Sequence, residues 1–209
     1  MAFQSFKTIG EVLQKYLLTY REESFVSAMP TTEAPLRLRE EIDFTLREMT
    51  FNNSENAVCE SLIFPVLKEV WRESFTGTLA LWSHQALRYD KVLSGVPDYI
   101  ISRRSPLGKV VFESPFLAAV EAKKDDFVRG WAQCAAEMLA VQKINGFAEE
   151  AVFGIVTSGK VWEIAKLEGQ IFTKHPASWS IFDLDALTTA LRWLFRECET
   201  ISEQLHQTS

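Results

Sequence analysis

Apolar residues recur at helical spacing from the start of the chain. Phe6, Ile9, Val12, Leu13, Tyr16, Leu17 and Tyr20 share one face and predict a helix over residues 3–20. The stretch SAMPTTEAP, with Pro30 and Pro35, breaks that period and reads as a linker. A looser helical pattern follows from Leu36 to Met49. Ser54 is a good N-cap, and Glu55 stands in the first turn, where it favours the helix dipole. Val58, Cys59, Leu62, Ile63, Val66, Leu67 and Val70 then make one continuous stripe. Pro65 falls inside it and predicts a kink or an early break.

The period then changes to that of strands. Thr78 to Ser83 reads as a first strand, Val96 to Ile101 as a second, and Phe116 to Lys123 as a third. Pro106 and Gly108 mark a turn between the last two, with Val110 to Phe112 as a continuation of the hairpin. Asp125 and Asp126 open a long helix through Val128, Trp131, Ala132, Ala135, Leu139 and Gln142, which Asn145-Gly146 stops. Ala151–Thr157 and Val161–Leu167 are strands joined by Ser158-Gly159-Lys160. A helix from about Asp183 to Leu205 closes the chain. This pattern predicts an α/β domain over 51–209, a central mixed sheet flanked by helices, preceded by a helical extension over 1–50.

Composition adds bounds rather than chemistry. At 209 residues, 47% hydrophobic and 24% charged, the chain has the make-up of an ordinary globular domain. No apolar run approaches the ~20 residues that span a bilayer, and the N-terminus lacks a secretory pattern, so a cytoplasmic protein without a membrane partner is expected. Three widely spaced cysteines without a CxxC pair predict reduced core thiols. The net charge of −6 argues against a surface that grips nucleic acid everywhere, while leaving room for a local basic rim. Arg103, Arg104 and Lys109 form such a rim at a turn. Solvated turn charge is the plainer account of them, contact with a nucleic-acid backbone the sharper one.

The third strand reads FLAAVEAKK. Alternation puts Glu121 and Lys123 on one side of it, with Val120 and Ala122 on the other. Alone, that is what a strand emerging into solvent looks like. Asp98, however, opens the preceding strand, and pairing of the two strands would bring it to the same sheet end. Two carboxylates held together repel unless one is protonated or a cation lies between them. A hard divalent ion such as magnesium takes oxygen ligands and resolves the conflict. Lys123 would then face charge developing on water or phosphate. The histidines have no metal-ligand spacing, and GxSxG, P-loop and GxGxxG patterns are absent.

Pro97-Asp98 followed by Glu121-Ala122-Lys123, in an α-β-β-β-α-β order, resembles the PD-(D/E)XK superfamily of restriction-endonuclease-like nucleases. The likeness covers roughly residues 54–167, leaving helices at both termini outside it. The runs GVPDYIISRRSPLGKVVF, VEAKKDDFVRGWAQCAAEMLAVQKIN and FGIVTSGKVWEIAKLE resemble a group of bacterial proteins, frequent in cyanobacteria, assigned to that superfamily. The resemblance implies that Asp98, Glu121 and the Ala122 carbonyl bind Mg2+ or Mn2+ and that Lys123 assists the hydrolytic water. It also implies an acidic residue on the first core helix. Glu55 and Glu60 both qualify, but five residues place them about 140° apart on a helix. Glu60, mid-helix, is the preferred one, with Glu55 serving mainly the dipole. A glutamine on the following helix, Gln133, would support Lys123. The implied activity is hydrolysis of nucleic acid, DNA above RNA. The alternative is a silent nuclease-fold module binding nucleic acid or a partner protein; the small size also suits a homodimer or larger assembly.

Overall fold

The computed structural model describes residues 3–27 and 30–207, so Ala28 and Met29 of the linker stretch lie outside the described residues. A short turn (Phe3–Ser5) precedes α1 (Ile9–Tyr16), whose first turn is capped by the Thr8 hydroxyl accepting from the Glu11 N–H. The helix expected to run to residue 20 stops earlier. Leu17 takes a left-handed conformation (φ 56°), and the chain becomes β1 (Thr19–Glu22), paired in parallel with a late strand. The extension over 1–50 is therefore not purely helical. An open sheet edge supplied backbone partners that local periodicity cannot register. α2 (Leu36–Glu48) follows as expected and buries Leu38 and Ile42.

Ser54 caps α3 (Glu55–Val58) by accepting the Ala57 N–H at 3.1 Å. The helix then widens into a π turn (Cys59–Ile63) and resumes as α4 (Phe64–Ser74). Pro65 does not end the helix. It has no N–H for the Ser61 carbonyl, and the wider turn just before it takes up the mismatch. The Cys59 carbonyl accepts both the Phe64 N–H and the Tyr99 hydroxyl, the latter at 3.1 Å.

The remaining strands are β2 (Leu79–Ser83), the short pair β3 (Leu87–Arg88) and β4 (Ser94–Gly95), then β5 (Tyr99–Arg103) and β6 (Phe116–Ala122). α5 (Phe127–Asn145) crosses over to β7 (Val152–Thr157), followed by β8 (Val161–Glu168), β9 (Ile171–Lys174), β10 (Trp179–Ser180) and α6 (Leu184–Gln207). Val110–Phe112 is not a strand; the β5–β6 connection is a loop in which Phe112 packs on Trp82 and Phe116. α5 begins at the Asp126 cap and stops at left-handed Gly146, as its end signals predicted.

Eight strands form one mixed sheet in the order β1-β9-β8-β7-β6-β5-β2, with β10 paired to β8. β5 pairs antiparallel with β2 on one side and with β6 on the other, whereas β6 and β7 run parallel across the α5 connection. The chain is thus α/β, a mixed sheet covered on both faces. One core contains Leu62, Ile63, Leu67, Val120, Trp162 and Leu194, under α2, α4 and α6. The other contains Val12, Ile100, Ala119, Ala132, Met138 and Phe172, under α1 and α5. Full burial of each Val, Leu, Ile, Phe or Met side chain among them contributes roughly 1.5–3 kcal/mol. No helix among the described residues is long and apolar enough to cross a membrane.

Candidate metal centre

Register decides what meets at the sheet end. Tyr99 of β5 pairs with Val120 of β6, so Asp98, one residue earlier, falls opposite the Glu121 end of β6. Asp98 Oδ2 accepts the Ala122 N–H at 2.7 Å, which locks the carboxylate to that strand. Glu121 lies beside Val156 of β7, and the Lys123 N–H extends the ladder by donating to the Thr157 carbonyl at 2.8 Å. Alternation places Glu121 on the α5 face, opposite Val120. Asp98, Glu121 and Lys123 are brought together as the strand pattern predicts.

Lys123 is the hub. Its Nζ lies 2.8 Å from Glu121 Oε1 and 3.3 Å from Glu55 Oε2, and it donates to the Ala122 carbonyl at 3.0 Å. The helical acid that reaches the site is therefore Glu55, not the preferred Glu60. The Glu60 side chain is exposed, and none of the ion pairs or side-chain hydrogen bonds described at the site involves it. The preference assumed an unbroken α-helix, whereas the π turn begins at Cys59 and changes the angular phase just where Glu60 stands.

Two glycines hold this corner closed. At Gly159, φ is 78°, and a Cβ would lie 2.6 Å from Val58 Cγ1, so the β7–β8 turn can press onto the helix that carries Glu55. At Gly130, a Cβ would lie 2.7 Å from Val156 Cγ1 and 3.0 Å from Lys123 Cγ, so α5 approaches the sheet beside Lys123 only because that atom is missing.

Gln133 is buried on α5, and its Nε2 donates to Glu137 Oε1 at 3.3 Å. Glu137 is fully buried and is a hydrogen-bonding neighbour of Glu121. Sequence reasoning passed over it, although an acid inside the otherwise apolar run Cys134–Val141 was a visible signal. His84 was also passed over, as one of the histidines without metal-ligand spacing. Its Nε2 is 3.5 Å from Asp98 Oδ1, its Nδ1 is 2.7 Å from Ser83 Oγ, and its φ is 52°. Nothing in the local sequence announces that conformation.

The electrostatics follow from burial. Desolvation, followed by Asp98, pushes Glu121 up to about 7, against the pull of Lys123. Asp98 is raised by desolvation, which the Ala122 N–H, Lys123 and His84 only partly oppose. Burial alone would lower Lys123, but Glu121, Glu55 and Asp98 more than offset it and hold the ammonium above its ordinary value. Glu121 Oε2 and Glu137 Oε2 are buried without a donor. Among the described residues, no three His, Cys, Asp or Glu side chains form a ready-made metal cage.

The basic residues of the β5–β6 loop stand elsewhere. Arg103 is at the other end of β5 from Asp98, roughly 16 Å away at ~3.3 Å per residue. Arg104 donates to the Thr76 carbonyl, and Lys109 lines a small hollow with Trp71 and Trp82. Lys124 is exposed just past β6. No protein-family model matches this chain, and no curated protein matches it.

Proposed function

We propose that this chain is a divalent-metal-dependent nuclease of the PD-(D/E)XK, restriction-endonuclease-like kind, hydrolysing phosphodiester bonds of nucleic acid, with DNA as the first substrate class. The observation that carries the reading is the meeting of Asp98, Glu121 and Lys123 at one sheet end while Glu121 Oε2 is buried without a donor. The arrangement of β2, β5 and β6, then α5 and parallel β7, supports the same reading.

The donor set fits magnesium or manganese. Mg2+ keeps several waters and takes only one or two carboxylates, so it needs no cage of three side chains. Asp98 and Glu121 would hold it, with the Ala122 carbonyl beside them. A buried carboxylate oxygen lacking a partner costs about 1–3 kcal/mol, and a cation removes that cost. When bound, the metal would polarise the phosphoryl group and lower the pKa of a water. Lys123 is placed to orient that water or to meet charge developing on phosphate oxygen, with Glu55 holding its Nζ on the outer side. The Ala122 N–H keeps Asp98 in position throughout.

The test is cleavage of supercoiled and single-stranded DNA with Mg2+ or Mn2+. Lys123→Ala should reduce it by roughly 10²–10³-fold without loss of fold. Divalent metal should raise the melting temperature of the wild type and much less that of Asp98→Ala or Glu121→Ala. Equal shifts in all three would refute the metal site. A second reading, a binding module without turnover, is favoured by one observation: Lys123 is already engaged by two carboxylates on a chain of net charge −6. Metal binding without cleavage of any nucleic acid would select it.

A further inference from the structure

We infer that His84 is a further metal ligand beside Asp98, and that its imidazole sets the site to take a first-row transition ion such as Mn2+ ahead of Mg2+. The inference rests on the metal reading of Asp98 and Glu121 and adds to it a ligand of a different chemical kind.

The end of β2 ties His84 to Asp98 twice. The His84 N–H donates to the Asp98 carbonyl at 2.9 Å, and the ring Nε2 lies 3.5 Å from Asp98 Oδ1. Oδ1 is the oxygen that faces the site, because Oδ2 accepts the Ala122 N–H at 2.7 Å. The other ring nitrogen, Nδ1, is 2.7 Å from Ser83 Oγ, which leaves Nε2 as the nitrogen turned to the carboxylate. The ring also packs at a steep angle against Tyr99, with centroids 6.1 Å apart. A second atom on the imidazole held in this way is the usual means of orienting a ligating histidine.

At 3.5 Å the nitrogen and oxygen are too far apart for a charge-assisted hydrogen bond, which spans about 2.7–2.9 Å. They suit the bite of one ion instead. Two ligand atoms about 2.1 Å from a metal, at an angle of about 90–110°, lie about 3.0–3.4 Å apart. His84 also adopts φ 52°, a conformation uncommon outside glycine. Such a backbone persists where its surroundings enforce it, and here Asp98 and Ser83 do so. The His84 side chain is 49% exposed and that of Asp98 19%, so an ion and its waters can reach the pair from solvent. Glu121 Oε2, buried without a donor, is not consumed by His84 and remains for the metal.

Ligand chemistry then decides between ions. Mg2+ is hard, takes oxygen ligands and keeps its waters. An imidazole nitrogen favours first-row transition ions, whose affinity for nitrogen sites rises along the series that begins at Mn2+. Asp98 and Glu121 alone would leave the two ions close to equal; His84 separates them.

The experiment compares wild type with His84→Asn, which accepts a left-handed backbone but carries no imidazole. Calorimetry gives Mn2+ and Mg2+ affinities, and electron spin echo of the Mn2+-loaded protein reads nitrogen bonded to the ion. Wild type should bind Mn2+ at least about tenfold more tightly than Mg2+. His84→Asn should lose about tenfold or more in Mn2+ affinity and stay within about threefold for Mg2+. The nitrogen modulation should be present in wild type and absent from the variant. Bound Mn2+ without nitrogen modulation in wild type would overturn the inference and leave the Asp98 and Glu121 reading standing. Equal losses for both ions would also overturn it, since His84 would then only be holding Asp98 in place. If the wild type bound neither ion, the metal reading itself would fail and this inference with it.

Discussion

Glu121→Gln should change the pH dependence of stability in a calculable way. In metal-free protein, native Glu121 keeps its proton to about pH 7, whereas an unfolded glutamate releases it near 4.5. Between these values the native state binds more protons than the unfolded state, so this group makes stability fall as pH rises. Below about 4.5 its contribution is absent, and above about 7 the full penalty is present. That interval corresponds to about 3 kcal/mol at about 1.4 kcal/mol per pH unit. Glu121 is 1% exposed, so solvent does not screen the effect away. Glutamine keeps the shape and cannot ionise. Urea denaturation with a chelator present, from pH 4.5 to 8, should show the variant gaining on wild type by about 3 kcal/mol across that range. Saturating Mn2+ should raise wild-type stability above pH 7, and so reduce the fall between pH 4.5 and 7, while leaving the variant profile unchanged. Parallel profiles in chelator would refute the account of Glu121 as a buried carboxylate ionised against its surroundings.

Gly159→Ala should destabilise the fold by roughly 2–4 kcal/mol, combining a left-handed backbone with a clash on Val58; an unchanged urea midpoint would contradict the contact. Glu55→Ala should reduce Mn2+-dependent cleavage by roughly tenfold while Glu60→Ala stays near wild type, because only Glu55 reaches Lys123. The reverse order would restore the sequence-based preference. Cys59, Cys134 and Cys198 are free and buried, with burial pushing the Cys59 thiol up to about 12. A thiol reagent at pH 8 should leave all three unmodified in native protein and label them only on unfolding.

Much of the site was legible because strands alternate. Glu121 and Lys123 were placed on one side of β6, and Asp98 at its neighbour's end, from spacing alone, and the register agrees. The helix signals at Ser54, Asp126 and Gly146 were equally readable, since each is a local hydrogen-bonding or φ preference. Glu55 over Glu60 was not readable, because Pro65 marks a disturbed helix without saying whether it kinks, breaks or widens into the π turn that shifts its phase. Nor was the contact of Gln133 with Glu137, which depends on how far α5 sinks towards the sheet at Gly130.

The sequence by itself determined the elements whose causes lie within a few residues: the helix caps, the β7–β8 turn, the alternation of β6, and the pairing of carboxylates with a lysine. Only the tertiary structure decided β1, which leaves the predicted helix for a parallel partner some 150 residues away. It alone showed that Arg103 and Arg104 stand at the sheet end opposite the acidic cluster. It alone placed Glu137 behind Glu121 and His84 beside Asp98. Local preferences act through one residue's backbone and its near neighbours. Burial, like-charge contact and desolvation act between residues that the chain brings together only when folded, so they could be found nowhere else.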